Sequence, residues 1–331
     1  MTKTKALMSM TALMAGTALL LGSGVAEAKT VTVATILNAN DVSTQAMEKW
    51  GELLSAKTDG RLELNVMPGG TLGGTRELIQ QLSSGEIDVN LSSPVVLQYA
   101  APQYQCLEAE YVYRDEDHGF AVWRGSVGQE ASQAMKASYN IEIAGVGRRG
   151  SRNVTANKRI EVPSDLAGLK FRVTNDLRAQ VFAKYGAQPA PLPLSELYGA
   201  LRQGVFDAEE NPLSTIYSSR FHEVQDYISL TNHVWTYNLT FVNSDFYAGL
   251  GEDREAFDAT LQEAMDWLYG AVEEENASIR KAIEESGEAE FVQPDIAAFR
   301  EAARPILDEY AAKNCKPGIL DEVEAVRADA K

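Results

Sequence analysis

The chain has 331 residues, 45% hydrophobic and 23% charged, which is the balance of a folded protein longer than one domain of about 100–200 residues. That composition excludes disorder, a collagen repeat and a disulfide-dense scaffold. A net charge of −17 repels phosphate backbones, so no nucleic-acid partner is expected, and an anionic ligand would need a locally basic pocket.

Lys3 and Lys5 precede an uncharged run from Ala6 to Leu21, and Ala26-Glu27-Ala28 supplies a small-x-small cleavage pattern. These features predict a secretory signal peptide over residues 1–28, with cleavage after Ala28 and export from the cytoplasm. The run is short for a span of about 20 apolar residues. No cysteine sits at the cleavage point for lipid attachment. The destination is oxidising, so Cys106 and Cys315 either form one disulfide or remain two buried thiols.

Thr30 to Thr35 is a β-branched strand, and Ser43 or Thr44 can cap a helix carrying Met47, Trp50, Leu53 and Leu54 at helical spacing. Asp59-Gly60 ends that helix, and Leu62, Leu64 and Val66 alternate as a strand. A glycine-rich loop from Pro68 to Gly74 leads into a helix with Leu78, Ile79 and Leu82 on one face, followed by a strand over 87–91. The repeated β-loop-α order predicts a largely parallel α/β sheet. Further strands are expected over 141–146, 152–156, 169–173 and 237–242, with helices over 179–185 and 194–201. Phe257, Leu261, Met265, Leu268 and Val272 recur at steps of three and four, and Ile279 and Ile283 extend one long amphipathic helix. No Pro- or Ser-rich linker divides the chain, which suggests two lobes crossed more than once, with separate sheets and a ligand crevice between them.

Most motifs fail on context. Gly145-Val146-Gly147-Arg148-Arg149-Gly150 matches G-x-G-x-x-G, but the β-rich Ser151-Arg152-Asn153-Val154-Thr155 follows where a helix is required. The Gly69–Thr75 loop lacks the Lys-Ser/Thr ending of a phosphate loop. It is either an anion-binding helix N-terminus or a plain tight turn. Asp115-Glu116-Asp117-His118-Gly119 lacks the ligand spacing of a calcium loop, and His118, His222 and His233 form no zinc pattern. No metal or cofactor is expected, and no nucleophile-base pairing marks an enzyme. Four arginines, Arg148, Arg149, Arg152 and Arg172, crowd into a short stretch of an acidic protein. Arg172 lies on an extended run, where its planar fork can grip a carboxylate. A surface salt bridge is the alternative.

Gly150–Lys158 and Pro163–Val173 resemble the core of the DctP-type solute-binding proteins of tripartite ATP-independent periplasmic (TRAP) transporters. Pro189–Pro193, Glu196-Leu197-Tyr198, Val205–Pro212, Thr231-Asn232-His233, Gly70–Leu78 and Gly85–Asp88 continue the resemblance over nearly all of the exported chain. It implies an α/β, two-lobed flytrap of the periplasmic-binding-protein type, with multiple inter-lobe crossings and a long lobe-spanning helix. Residues 29–149 with 237–276 would form lobe I, and 150–236 with 277–331 lobe II. It further implies a monomeric binder that hands a small organic acid to a small and a large membrane subunit for import driven by an ion gradient.

The resemblance makes Arg172 the carboxylate clamp, with Arg152 and Asn211 as further ligand-binding positions. Where the family's sialic-acid binders place an acidic and a basic residue, this chain has Ser93 and Val96, and Leu194 replaces their phenylalanine. Sialic acid is therefore not expected. Arg76, Asn38 and Asp41, with Asn40, are polar candidates for the crevice, and Trp235, Tyr237 and Asn238 for its wall. Such a lining favours a hydroxylated sugar acid, a uronate or aldonate. A C4-dicarboxylate, a 2-oxo acid, a sulfonate, or turnover of an acid by an exported enzyme are the alternatives.

Overall fold

The computed structural model describes residues 28–327. Apart from Ala28, the expected signal peptide lies outside the described residues. Strand β1 (Lys29–Ala34) turns Val31 and Val33 into the core and is followed by helix α1 (Val42–Lys57). Asp41 caps α1, in place of the expected Ser43 or Thr44, accepting from the Ser43 N–H at 3.0 Å. Asp59 and Gly60 take positive φ and turn the chain into β2 (Leu62–Met67), which pairs parallel with β1. The glycine loop leads into α2 (Thr75–Ser84), and β3 (Val89–Ser92) pairs parallel with the other edge of β1. Helices α3 (Leu97–Ala100), α4 (Glu116–Arg124) and α5 (Ser126–Tyr139) complete this first region.

The chain then crosses on β4 (Ile141–Ala156), a single 16-residue strand that fuses two segments the sequence suggested as separate. Beyond it come β5 (Lys170–Val173), α6 (Asp176–Lys184), β6 (Gln188–Pro191), α7 (Leu194–Arg202), β7 (Ala208–Pro212) and α8 (Leu213–Ser218). Strand β8 (Tyr227–Asn243) returns as 17 residues, of which alternation had revealed only the last third. It is followed by α9 (Ser244–Ala248), α10 (Arg254–Ser286), β9 (Glu290–Val292), α11 (Ile296–Asn314) and α12 (Ile319–Ala325).

The strands form one ladder, β2-β1-β3-β8-β4-β7-β5-β6, with β9 beside β8. This corrects the expectation of separate sheets. The two lobes share β4 and β8, which pair antiparallel from Ile141 with Asn243 to Ala156 with Tyr227. The pairing shifts register three times, between 143 and 145, 148 and 150, and 152 and 154, and each bulge bends the shared ribbon. The glycines of the failed dinucleotide pattern serve this crossing. A Cβ on Gly145 would stand 3.0 Å from Leu261 and one on Gly147 2.8 Å from Met265, so their absence lets α10 lie on β4. Gly150 (φ 84°) adopts a left-handed backbone at the middle bulge.

Apolar side chains of β1, β3, α1 and α2 and those of β5, β7, α6 and α7 gather in different cores, giving two lobes. The 33-residue α10 joins them: Phe257 through Val272 pack in the first core, Ile279 and Ile283 in the second. Trp50 on α1 meets Phe257 edge-to-face and donates its indole N–H to Thr260 at 3.1 Å. The C-terminal segment departs from the expected division. Leu307, Tyr310, Ile319 and Val323 pack in the first core, not the second. Cys106 and Cys315 are joined in a disulfide, with Cα atoms 6.3 Å apart, which pins the end of α11 to that same lobe.

Candidate functional site

A cleft of about 400 Å³ opens between the lobes. The carboxyl end of β5, the bend of β4 and the end of β7 line one side; the Gly70–Glu77 segment and residues 92–99 line the other. This is the place where an α/β sheet with a break in strand order offers a crevice.

Six of the ten candidate residues line it: Arg76, Ser93, Arg152, Arg172, Leu194 and Asn211. Arg172 is only 4% exposed and forms no ion pair within 4 Å among the described residues. Its Nε and Nη2 donate to the carbonyl oxygen of Leu192 at 2.9 and 2.7 Å. Nη1 is enclosed and has no partner among the described residues. Burial lowers the guanidinium pKa to about 10, opposed by the nearby Glu210 and Glu209 carboxylates, so it is a cation at neutral pH. The surface salt bridge offered as the alternative does not describe it. A buried cationic donor lacking an acceptor is a site for an anion.

Arg152 differs. Its Nε and Nη2 bind the two carboxylate oxygens of Glu210 in a fork, and Nη2 also donates to the Asn211 Oδ1 at 3.0 Å. Glu210 also holds Arg178 at 3.4 Å and His233 Nε2 at 3.1 Å. Despite its burial, the Arg152 and Arg178 charges and the hydrogen bond from His233 hold the Glu210 carboxyl far below the usual range. Burial pushes His233 down to about 4, so it is neutral at pH 7. Its Nε2–H donates to Glu210, and its Nδ1 accepts from the Thr231 hydroxyl at 2.7 Å.

The same network fixes Asn211, whose Nδ2 donates to Glu209. Burial, reinforced by the adjacent Glu210, pushes Glu209 up to about 7. The charge of Arg152 is answered by Glu210 through Nε and Nη2, while its Nη1 makes no hydrogen bond among the described residues and Arg152 itself lines the cleft beside Asn211.

On the facing side, Arg76 is exposed and takes part in no ion pair among the described residues. The helix N-terminus suggested by the glycine loop is not vacant. A Cβ on Gly74 would meet the Glu77 carboxylate at 3.0 Å, so α2 already carries its own anion there.

The other four candidates lie elsewhere. Asp41 is consumed as the α1 cap and as the partner of Arg149 at 2.9 Å. Asn38 donates from Nδ2 to the Ser218 carbonyl at 3.3 Å and the Ser219 hydroxyl at 3.2 Å. Tyr237 is fully buried, its hydroxyl donating to the Glu116 carbonyl at 2.8 Å and its ring packed on Tyr113. Trp235 packs against the first core. Residues on a shared strand alternate between cleft and core, and Asn238, one step from Tyr237, does line the cleft. Val96 is core. Sequence reasoning missed Gln98, Tyr99, Thr174 and Thr215, which come from loops or a helix with no chemical signature of their own. It also missed the Leu192 carbonyl, which as a backbone group has none.

A model of the DctP family, bacterial extracellular solute-binding protein family 7, matches residues 33–314. A solute-binding protein of Roseobacter denitrificans is 32% identical over 319 residues, covering 96% of each chain. Its solved structure, a TRAP periplasmic solute-binding protein with bound L-galactonate, superposes with a TM-score of 0.83 at 31% identity, covering 90% of this chain and 98% of that one. The 2,3-diketo-L-gulonate-binding periplasmic protein of Escherichia coli is 29% identical over 287 residues, covering 85% of this chain and 87% of the relative.

Proposed function

Because the chain belongs to the DctP family, bacterial extracellular solute-binding protein family 7, we propose that it is the periplasmic solute-binding subunit of a TRAP transporter that captures a hydroxylated sugar acid, a uronate or aldonate. The observation that carries this reading is the enclosed, unpartnered Nη1 of Arg172. A ligand carboxylate supplies the missing acceptor and neutralises the buried charge. Asn211, Ser93 and Arg76, with the hydroxyl of Thr174, offer polar groups to a hydroxylated chain, and Leu194 forms an apolar wall. Relatives that bind L-galactonate and 2,3-diketo-L-gulonate support a six-carbon acid.

Export through the Ala28 cleavage signal, action as a monomer and delivery to two membrane subunits complete the reading. Lobe boundaries near 149/150 and 236/237 are supported by the bulge on β4 and its partner Thr236 on β8. Mass spectrometry of the ligand that co-purifies with the native protein tests the assignment. A sugar acid is expected. A C4-dicarboxylate, a 2-oxo acid or a sulfonate would replace the ligand class while leaving the clamp. Candidate acids should be recovered unchanged after incubation, and their chemical conversion would instead make the protein an exported enzyme.

A further inference from the structure

Arg149 also lines the cleft, but both terminal nitrogens of its guanidinium are taken by protein partners. Nη1 donates to the Ser43 hydroxyl at 2.6 Å and to Asn238 Oδ1 at 3.0 Å. Nη2 donates to Asp41 Oδ2 at 2.9 Å and to the Thr215 hydroxyl at 2.7 Å. These partners come from both lobes. Asp41 and Ser43 open α1, whose face packs in the first core, whereas Thr215 lies on α8, whose Leu213 and Ile216 pack in the second. Arg149 itself sits in the middle register break of β4, beside the left-handed Gly150. One side chain is therefore held by both lobes at the point where the shared ribbon bends. Asn38 adds a second stitch across the same gap, reaching Ser218 and Ser219 at the end of α8.

Hydrogen bonds of this length do not survive a shift of α8 by an ångström or two away from α1. Opening the cleft about the bend must break the Thr215 bond, whereas the Asp41 and Ser43 bonds, made within the first lobe and its crossing strand, can persist. We propose that Arg149, Asp41 and Thr215 form the closure staple of the cleft, with Arg149 a positioning residue that holds the lobes together without gripping the ligand acid. The staple goes beyond the carboxylate clamp and rests on the reading that the ligand is enclosed between the lobes. Because the bonds of the staple are made between protein groups alone, they favour the closed arrangement whether or not a ligand is bound. A ligand then needs less of its own binding energy to hold the lobes shut.

Thr215→Val removes the hydroxyl at near-constant shape, and Asp41→Asn keeps the α1 cap but removes the charge. Small-angle scattering of the unliganded proteins should give Thr215→Val a larger radius of gyration than wild type, and Thr215→Ser, which keeps the hydroxyl, should restore it. With L-galactonate as the probe, stopped-flow tryptophan fluorescence should show both variants releasing the acid at least about tenfold faster, with association changed less than about twofold. A purely structural effect would lower the melting temperature without separating the two rates. Equal radii of gyration for wild type and Thr215→Val, unchanged dissociation rates, or failure of Thr215→Ser to rescue overturns the staple. If no acid binds wild type, the clamp reading fails by itself, and the ligand-free scattering comparison still decides the staple.

Discussion

Arg172 gives two of its three guanidinium nitrogens to one acceptor, the carbonyl oxygen of Leu192, at 2.9 and 2.7 Å. That fork fixes the plane of the guanidinium from the strand-to-helix loop and leaves Nη1 as the donor with nothing to bind. A carboxylate docking on Nη1 would meet a guanidinium already held in plane by the protein, with little side-chain entropy left to lose.

Arg172→Ala should cost about 3–5 kcal/mol of ligand binding, or two to four decades in affinity, because the acid group is then enclosed without its counter-charge. Arg172→Lys should not rescue fully, since an ammonium cannot hold the Leu192 carbonyl in a fork and still reach the acid. A thermal-shift screen of sugar acids, dicarboxylates, 2-oxo acids and sulfonates reads both variants. A full ligand-induced shift in Arg172→Ala, or a shift with neutral sugars alone, would discard the clamp.

The same burial changes what the substitution does to the empty protein. An exposed arginine could be replaced at no cost, but Arg172 is buried, and its positive charge is opposed only at a distance by Glu209 and Glu210. Arg172→Met should therefore leave the unliganded melting temperature unchanged or raise it, while abolishing the ligand-induced rise. A large drop in unliganded stability would mean that the guanidinium holds the lobe together.

Glu275 on α10 has a buried carboxylate oxygen without a partner, and burial, together with the nearby Asp41, pushes its pKa up to about 7 despite the Arg149 charge. A carboxyl raised in the folded state binds more protons there than in the unfolded chain. Its contribution to stability is present below the ordinary carboxylate range, near pH 4.5, and is lost as pH rises through about 7. Glu275→Gln should melt higher than wild type at pH 8, with the difference shrinking toward pH 5. A difference independent of pH would show that the carboxyl is not titrating.

Tyr237 provides a test of the correction to the cleft wall. A Cβ on Gly119 would lie 2.2 Å from its hydroxyl oxygen, so ring and helix are fitted against each other. Tyr237→Phe should cost about 1 kcal/mol of stability through the lost bond to Glu116, with ligand affinity unchanged. Gly119→Ala should cost more, about 1–3 kcal/mol, by overpacking the same contact. Weaker ligand binding by Tyr237→Phe at equal folded fraction would return the residue to the cleft.

The disulfide closes a loop with a sequence separation of 209 residues. On loop-closure grounds it contributes about 4–5 kcal/mol by restricting the unfolded chain. Reduction should lower the melting temperature substantially, and titration of unfolded, unreduced protein should find no free thiol. Two titratable thiols would remove the bridge.

The sequence alone determined what local chemistry decides. Helical spacing in Phe257–Val272, alternation in Leu62–Val66 and the turn at Asp59-Gly60 each need only neighbours along the chain, and all three elements formed as read. The cluster of arginines in an acidic protein likewise pointed to strands that border the cleft. Family resemblance selected Arg172 within it, but sequence could not say how each arginine is used. Three of them lie within one stretch of β4 and β5, yet Arg152 forks onto Glu210, Arg149 bonds Asp41 and Thr215, and Arg172 holds a fully enclosed donor without a partner among the described residues. Those partners lie some 60 to 110 positions away in the case of Glu210, Thr215 and Asp41, and only the folded chain brings them within hydrogen-bond reach. The same limit hid residues 227–236 of β8 and misplaced Tyr237 and Asp41. A side chain's neighbours across a sheet or a lobe boundary are set by pairing and packing, which carry no signature in the residues themselves.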